Sequence, residues 1–212
     1  MGRRLLVERD VALDRMMRRF WAYGYEATSI DDLLEASGMH RGSFYRAFGD
    51  KHSAFLATLA RYAVMVGDDH VLPALSGRGS PCRRLVRLLY ARLDAALGLP
   101  GPGSPVAAGH GARPGCLVVN TAVEVAPHDD RARATVARSL DAMRAAIGRL
   151  VDEAIAAGEV DGSVDGELAA DQIFTLLQGV NVLSRAGGDA RQLRRLLRRT
   201  VQATLQPTVS LP

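Results

Sequence analysis

An all-α fold is what this sequence predicts, on three observations. Ala, Leu and Arg, good helix formers, dominate a chain of 212 residues in which aromatics make up only 5%. Apolar residues recur at spacings of three and four in segment after segment. No stretch alternates with the period of two that a half-buried strand requires, and no internal repeat is present. With 48% apolar residues the chain can build a real core, and its length fits one large domain or two small ones.

The elements follow in order. Leu13, Met16, Met17 and Phe20 mark one face of a helix over 10–23, with Asp10 as its N-cap and Gly24 as its stop. Ser29 and Asp32 have capping-box spacing and open a short helix with an apolar stripe of Ile30, Leu33 and Leu34. Ser37-Gly38 closes it, since Gly38 tolerates the left-handed conformation past a helix end. A second short helix runs from Arg41 to about Phe48, with Phe44 and Phe48 one turn apart. Asp50 caps a longer helix through Ala54, Phe55, Leu59 and Tyr62.

After a loosening at Ser76–Pro81, Leu85, Leu88, Leu89, Leu93 and Leu97 predict a helix over about 82–97. Ten of the eighteen residues from 98 to 115 are Gly or Pro, which makes that segment a long loop. A short apolar segment follows, Cys116–Val125. Asp129 opens a long helix to Ala157, Asp165 one to about Ser184, and Asp189 a last one to about Leu205.

Composition excludes several functions. Lys51 is the only lysine, so no Schiff-base or phosphate-loop lysine exists elsewhere. Cys82 and Cys116 are too few for a disulfide framework. The first residues lack the apolar stretch of a secretory signal, and no run approaches the ~18 apolar residues of a membrane span. The expectation is a soluble, cytoplasmic protein. No Ser/His/Asp or paired-carboxylate arrangement stands out, so no catalytic residue is assigned. His70, His110 and His128 fit no compact metal motif with the cysteines, and the glycine clusters at 101–103 and 109–111 follow no strand. No metal or cofactor is assigned, and no enzymatic activity is expected.

Two short helices joined by a tight Gly turn match the helix-turn-helix module. Its second helix must fit a DNA major groove about 12 Å wide with small or polar residues outermost. Here these are His40, Arg41, Gly42, Ser43, Tyr45 and Arg46, while Phe44 and Phe48 turn inward against Phe20 and Leu33. Gly42 costs a helix roughly 1 kcal/mol against Ala, which makes sense if the backbone must approach DNA closely. The first fifty residues carry eight Arg against eight Asp or Glu, so affinity must come from placement of charge, not from its sum.

The run Gly24-Tyr25-Glu26-Ala27-Thr28-Ser29-Ile30, then Ala36 through Phe48, then Asp50-Lys51, resembles the N-terminal domain of TetR/AcrR transcriptional regulators. Gly115 to Glu124 resembles a segment of one branch of that family. The resemblance implies phosphate contacts from Thr28, Ser29, Tyr45 and Lys51, and base-edge contacts from Arg41, Gly42 and Ser43. Arg3 and Arg4 would form an arm along the minor groove. His40 departs from the small hydroxyl or Ala of many relatives and would reach a base or phosphate instead. The resemblance further implies a DNA-binding domain over residues 1–50 and a ligand-binding and dimerisation domain over 51–212. It implies a homodimer whose last two long helices form a four-helix bundle, a palindromic double-stranded operator, and repression relieved by a small-molecule effector.

Tyr90, Cys116, Asn120, Glu124, Phe174 and Gln178 are candidates for the effector pocket. Cys116, Asn120 and Glu124 share one helical face, which either lines a cavity or holds helices together. A buried Glu124 would need a partner, and Arg is plentiful. Cys116 is either a small apolar packing residue or a thiol sensor of oxidants or electrophiles beside the loop. The last helix sets Leu193, Leu196, Leu197 and Val201 against Arg191, Arg194, Arg195, Arg198 and Arg199. Such a helix can lie on an anionic membrane, but the preceding apolar helix needs a packing partner, which favours a core or dimer helix and no membrane role. A helical carrier that does not bind DNA is the rival from another class.

Overall fold

A computed structural model describes residues 2–101 and 113–212, with side chains in the first helix from Arg9 onward. All regular structure among the described residues is helical. The order is α1 (Gly2–Tyr23), α2 (Ile30–Ser37), α3 (Arg41–Phe48), α4 (Lys51–Val66), a π-helical turn (Gly67–Val71), α5 (Leu72–Ser76) and α6 (Pro81–Ala96). Then come α7 (Leu117–Glu124), α8 (Asp130–Ala156), α9 (Gly166–Arg185) and α10 (Ala190–Leu205). Most of the Gly/Pro-rich loop, and the side chains of Arg3 and Arg4, lie outside the described residues.

Caps set most boundaries. Ser29 and Asp32 form a reciprocal capping box on α2, with Asp32 N donating to Ser29 Oγ (3.1 Å) and Ser29 N to Asp32 Oδ2 (2.8 Å). Asp50, Asp129, Asp165 and Asp189 each accept from the backbone N–H three residues on, so α4, α8, α9 and α10 begin where the sequence predicts. Asp10 is not a cap: α1 runs straight through it, because residues 3–9 contain no breaker to stop the helix. The π-helical turn and α5 were not anticipated.

Two apolar clusters organise the packing. The first joins Phe20 and Trp21 of α1, Leu33 of α2, Phe44 and Phe48 of α3, and Phe55, Leu59 and Tyr62 of α4. It continues into Leu117 and Val118 of α7 and Val136 of α8, so α4 belongs to the same core as the helix-turn-helix. The second is built by α6, α8, α9 and α10, with Leu89, Ile147, Ile173 and Leu197 at its centre.

Helix α10 packs on α6 and α9 through Leu193, Leu197, Val201 and Leu205. Leu196, expected on that seam, is 40% exposed, because a strict spacing of four carries the inward face past it. The apolar stripe of α10 is thus covered within the chain, which removes the basis for a membrane-lying helix. No helix among the described residues is long and apolar enough to cross a membrane.

Cys82, at the start of α6, is buried, and burial pushes its thiol up to about 12, with the neighbouring Glu159 carboxylate acting in the same direction. At pH 8 it is therefore a protonated thiol. Iodoacetamide at that pH should leave Cys82 unmodified in the native protein and label it in denaturant, as read by peptide mass. Native labelling at an ordinary cysteine rate would contradict this packing.

Candidate nucleic-acid interface and effector cavity

Helix α3 is held by one face. Phe44 and Phe48 are buried, their ring centroids 5.7 Å apart, and Gly38 makes the turn from α2 with φ of 73°. The opposite face presents His40, Arg41, Gly42, Ser43, Tyr45 and Arg46 to solvent. Tyr45 is 43% exposed, its ring edge-on to Phe44. His40 stands at the N-cap position but makes no side-chain capping bond. Arg41 pairs with Asp31 of α2; both are exposed, so the pair is worth about 0–1 kcal/mol and yields easily to a stronger anion. Lys51 lies at the start of α4 with Nζ 4.3 Å from the Tyr25 ring centroid.

Two expected phosphate ligands are already engaged. Thr28 is fully buried and its hydroxyl donates to Gly24 O at 2.7 Å, so its side chain is unavailable to DNA. The turn after α1 folds over it, which the linear sequence does not reveal. Ser29 is exposed, but its hydroxyl is occupied by the capping box, donating to Asp32 Oδ2 at 2.7 Å.

A cavity of about 330 Å³ lies between α4, α6, α8 and α9. Of the six expected lining residues, Cys116 and Gln178 line it. Tyr90 does not: its hydroxyl donates to Pro212 O at 3.3 Å and Arg194 stacks over its ring. Phe174 packs against the second core. Asn120 turns back, its Nδ2 donating to Pro114 O at 2.9 Å. Glu124 points to the helix-turn-helix instead.

Sequence reasoning missed Tyr62, Arg92 and Asn181, which also line the cavity. The available signal was Arg92 itself, a cation on the apolar face of α6 between Leu88, Leu89 and Leu93. Arg92 is 2% exposed. Its Nη2 donates to Tyr62 Oη at 2.8 Å and lies 3.7 Å from Cys116 Sγ, while Tyr62 Oη donates to that sulfur at 3.5 Å. Burial pushes the Tyr62 phenol above its ordinary pKa, so it stays neutral. Burial works against the charge on Arg92, and its contacts with Tyr62 and Cys116 work for it, so the group stays a cation, held at neutral pH by hydrogen bonds and not by an opposite charge.

The cavity and the reading head are mechanically joined. Glu124, at the end of α7, accepts from Tyr25 N (3.1 Å) and Glu26 N (2.9 Å) in the turn between α1 and α2. Its partners are backbone amides, not an arginine. Gly24 permits this approach: its φ is 89°, and a Cβ there would come within 2.8 Å of Glu124 Oε2. Trp21 Nε1 donates to Gly115 O (2.9 Å), and Arg185 Nη1 to Trp21 O (3.2 Å) and Pro114 O (2.9 Å). His52 of α4 meets Asp129 at 3.0 Å.

An exposed helix-turn-helix face on an all-helical body is the architecture of a DNA-binding regulator. Comparison with known proteins agrees. Residues 12–58 match the family model for bacterial regulatory proteins of the tetR family, and residues 105–200 match the Tetracyclin repressor-like C-terminal domain. The repressor ComR of Escherichia coli is 27% identical over 202 residues, 95% of this chain and 90% of ComR. The regulator AcuR of Cereibacter sphaeroides is 30% identical over 156 residues, 74% of this chain and 66% of AcuR. A cysteine mutant of the TetR family regulator CifR, solved with a 26-bp double-stranded operator, superposes with a TM-score of 0.75 at 26% identity, covering 92% of this chain and 95% of that one. A TetR regulator from Chloroflexus aurantiacus gives 0.79 at 25% identity, covering 98% and 100%. The chain belongs to the TetR family of transcriptional regulators, a family of DNA-binding regulators and not enzymes.

Two outcomes check this geometry. Apart from its chain neighbours and its own helix backbone, no described atom lies within 4 Å of where a Gly42 side chain would begin, so the fold does not need glycine there. Gly42→Ala should raise the melting temperature, by about 1 kcal/mol of helix propensity, while weakening DNA binding. A variant that binds DNA as well as the parent would show that the backbone at Gly42 does not approach the duplex. Glu124→Gln leaves one acceptor oxygen for two amides and should lower stability by about 1 kcal/mol in a urea titration. An unchanged midpoint would mean the clamp carries no energy.

Proposed function

We propose that the protein is a homodimeric repressor that leaves a roughly palindromic operator when a small molecule occupies the cavity. The observation that carries this reading is the outward face of α3, anchored by two buried phenylalanines and, among the described residues, left exposed to solvent. In this reading residues 1–50 read DNA and residues 51–212 bind the effector and dimerise, within a cytoplasmic protein. Arg41, Gly42 and Ser43 approach base edges. His40, Tyr45, Arg46 and Lys51 hold phosphates or flanking bases; Ser29, its hydroxyl engaged in the capping box, would reach a phosphate only by giving up its bond to Asp32. Phosphate contacts set the register and base contacts supply discrimination.

Two recognition helices must sit about 34–36 Å apart to dock together. Helix α4 begins at Lys51 beside the reader and lines the cavity with Tyr62 and Val66. An effector that prefers a different α4 or α7 placement changes that separation and lowers DNA affinity by its differential affinity for the two states. The name of ComR as a repressor and the operator complex of CifR support repression through operator binding.

A second reading assigns the signal to Cys116. The specific observation is the contact of its sulfur with both Tyr62 and Arg92 on the cavity wall. If it senses oxidants or electrophiles, Cys116→Ser should abolish release of DNA by N-ethylmaleimide. Unchanged release would leave the thiol as packing.

Selection of bound fragments from the source genome, followed by mobility shift, tests the main reading. It requires a two-fold site bound by two chains; recovery of no enriched fragment would contradict it. On the selected site, Arg41→Ala should relax base preference, at about 1–3 kcal/mol for a bidentate contact. Tyr45→Phe should weaken binding evenly across operator variants. The reverse pattern would exchange their roles.

A further inference from the structure

We propose that the cavity's effector is a small, largely apolar carboxylate whose acid group seats on Arg92. This deepens the repressor reading and rests on the same cavity. Arg92 is 98% removed from solvent, yet no carboxylate among the described residues pairs with it, and its Nη1 has no hydrogen-bond partner. The other buried arginine among the described residues, Arg84, also has one unpartnered nitrogen, Nε, but its charge is paired with Glu153 and its Nη1 with the carbonyls of Ala74 and Leu75, so the missing carboxylate is what sets Arg92 apart. A buried cation without an opposite charge is costly. Its presence on a cavity wall is explained by a ligand that completes the pair.

The surroundings narrow the class. No Asp or Glu lines the cavity, and Arg138 stands exposed on its wall, so an anion meets only positive charge there. The remaining wall is mainly apolar, with Val66, Val71, Leu140, Met143 and Leu177. Such a body suits a hydrocarbon or aromatic group, not a sugar phosphate. One fully buried cation, with a free Nη1 beside an Nη2 held by the neutral Tyr62 hydroxyl, matches a single negative charge on a planar group that accepts two N–H bonds. Asn181 Oδ1, also buried without a partner on this wall, offers a second polar contact for a hydroxyl on the ligand.

The test is direct binding without DNA. The full chain is titrated calorimetrically at pH 7.5 with butanoate, hexanoate, octanoate, benzoate and phenylacetate, each beside its primary amide. At least one acid should bind about tenfold or more tightly than its amide, since only the acid supplies the ion pair. Arg92→Gln should erase that preference, and its melting temperature should hold or rise because an unpaired charge has gone. Arg92→Lys keeps a cation and should retain part of the preference. If no acid outbinds its amide in the parent protein, the proposal fails irrespective of how the variants fold. Equal preference in a folded Arg92→Gln protein, or tighter binding of inorganic phosphate than of any acid, also overturns it. Loss of DNA binding in mobility shift would sink the repressor reading and leave this result standing, so the two failures are distinguishable.

Discussion

The burial of Phe44 and Phe48 against Phe20, Leu33 and Phe55 is the constraint on which the rest of the molecule depends. These side chains leave α3 a single way to sit. Once its aromatic face is inside, helical geometry forces His40, Arg41, Ser43, Tyr45 and Arg46 outward together. An eight-residue helix is too short to hold its shape alone in water, so tertiary packing supplies the rigidity that groove docking requires. The same cluster takes in α4, α7 and the start of α8, so the reading head cannot shift without disturbing residues next to the cavity.

That shared core gives a physical route between the two sites. Cys116 lies on the cavity wall, and one eight-residue helix further along Glu124 holds the turn between α1 and α2. Tyr62 lies on the cavity wall while Lys51, at the other end of the same helix, borders the reader. A ligand that draws Arg92 away from Tyr62 and Cys116 therefore acts on α4 and on the start of α7, both of which touch the DNA-binding helices. The permissive geometry at Gly24 is what lets the carboxylate of Glu124 approach so closely.

Much of this was legible in the sequence, because much of it is local. Aspartates at 50, 129, 165 and 189 and the box at Ser29 announce helix starts that depend only on residues three positions away. Gly38 announces a turn for an equally local reason. The outward face of α3 follows from two aromatics one turn apart. What escaped is non-local. The burial of Thr28 depends on how the chain folds back after α1. Glu124 found backbone amides 98 and 99 positions away, which no pattern of side-chain types encodes. Tyr90 and Phe174 had suitable chemistry for a pocket but lie on other faces of their helices. Arg92 was visible as a charge on an apolar stripe, and only its position among α4, α8 and α9 shows that the stripe borders a cavity.

The central claim is that the α3 faces of two chains occupy successive major grooves, and methylation interference on a selected operator measures that directly. Methylating guanine N7, which lies in the major groove, should block binding at two symmetric clusters about one helical turn apart, roughly 34–36 Å. Interference confined to adenine N3 in the minor groove, or to a single cluster, would contradict the account.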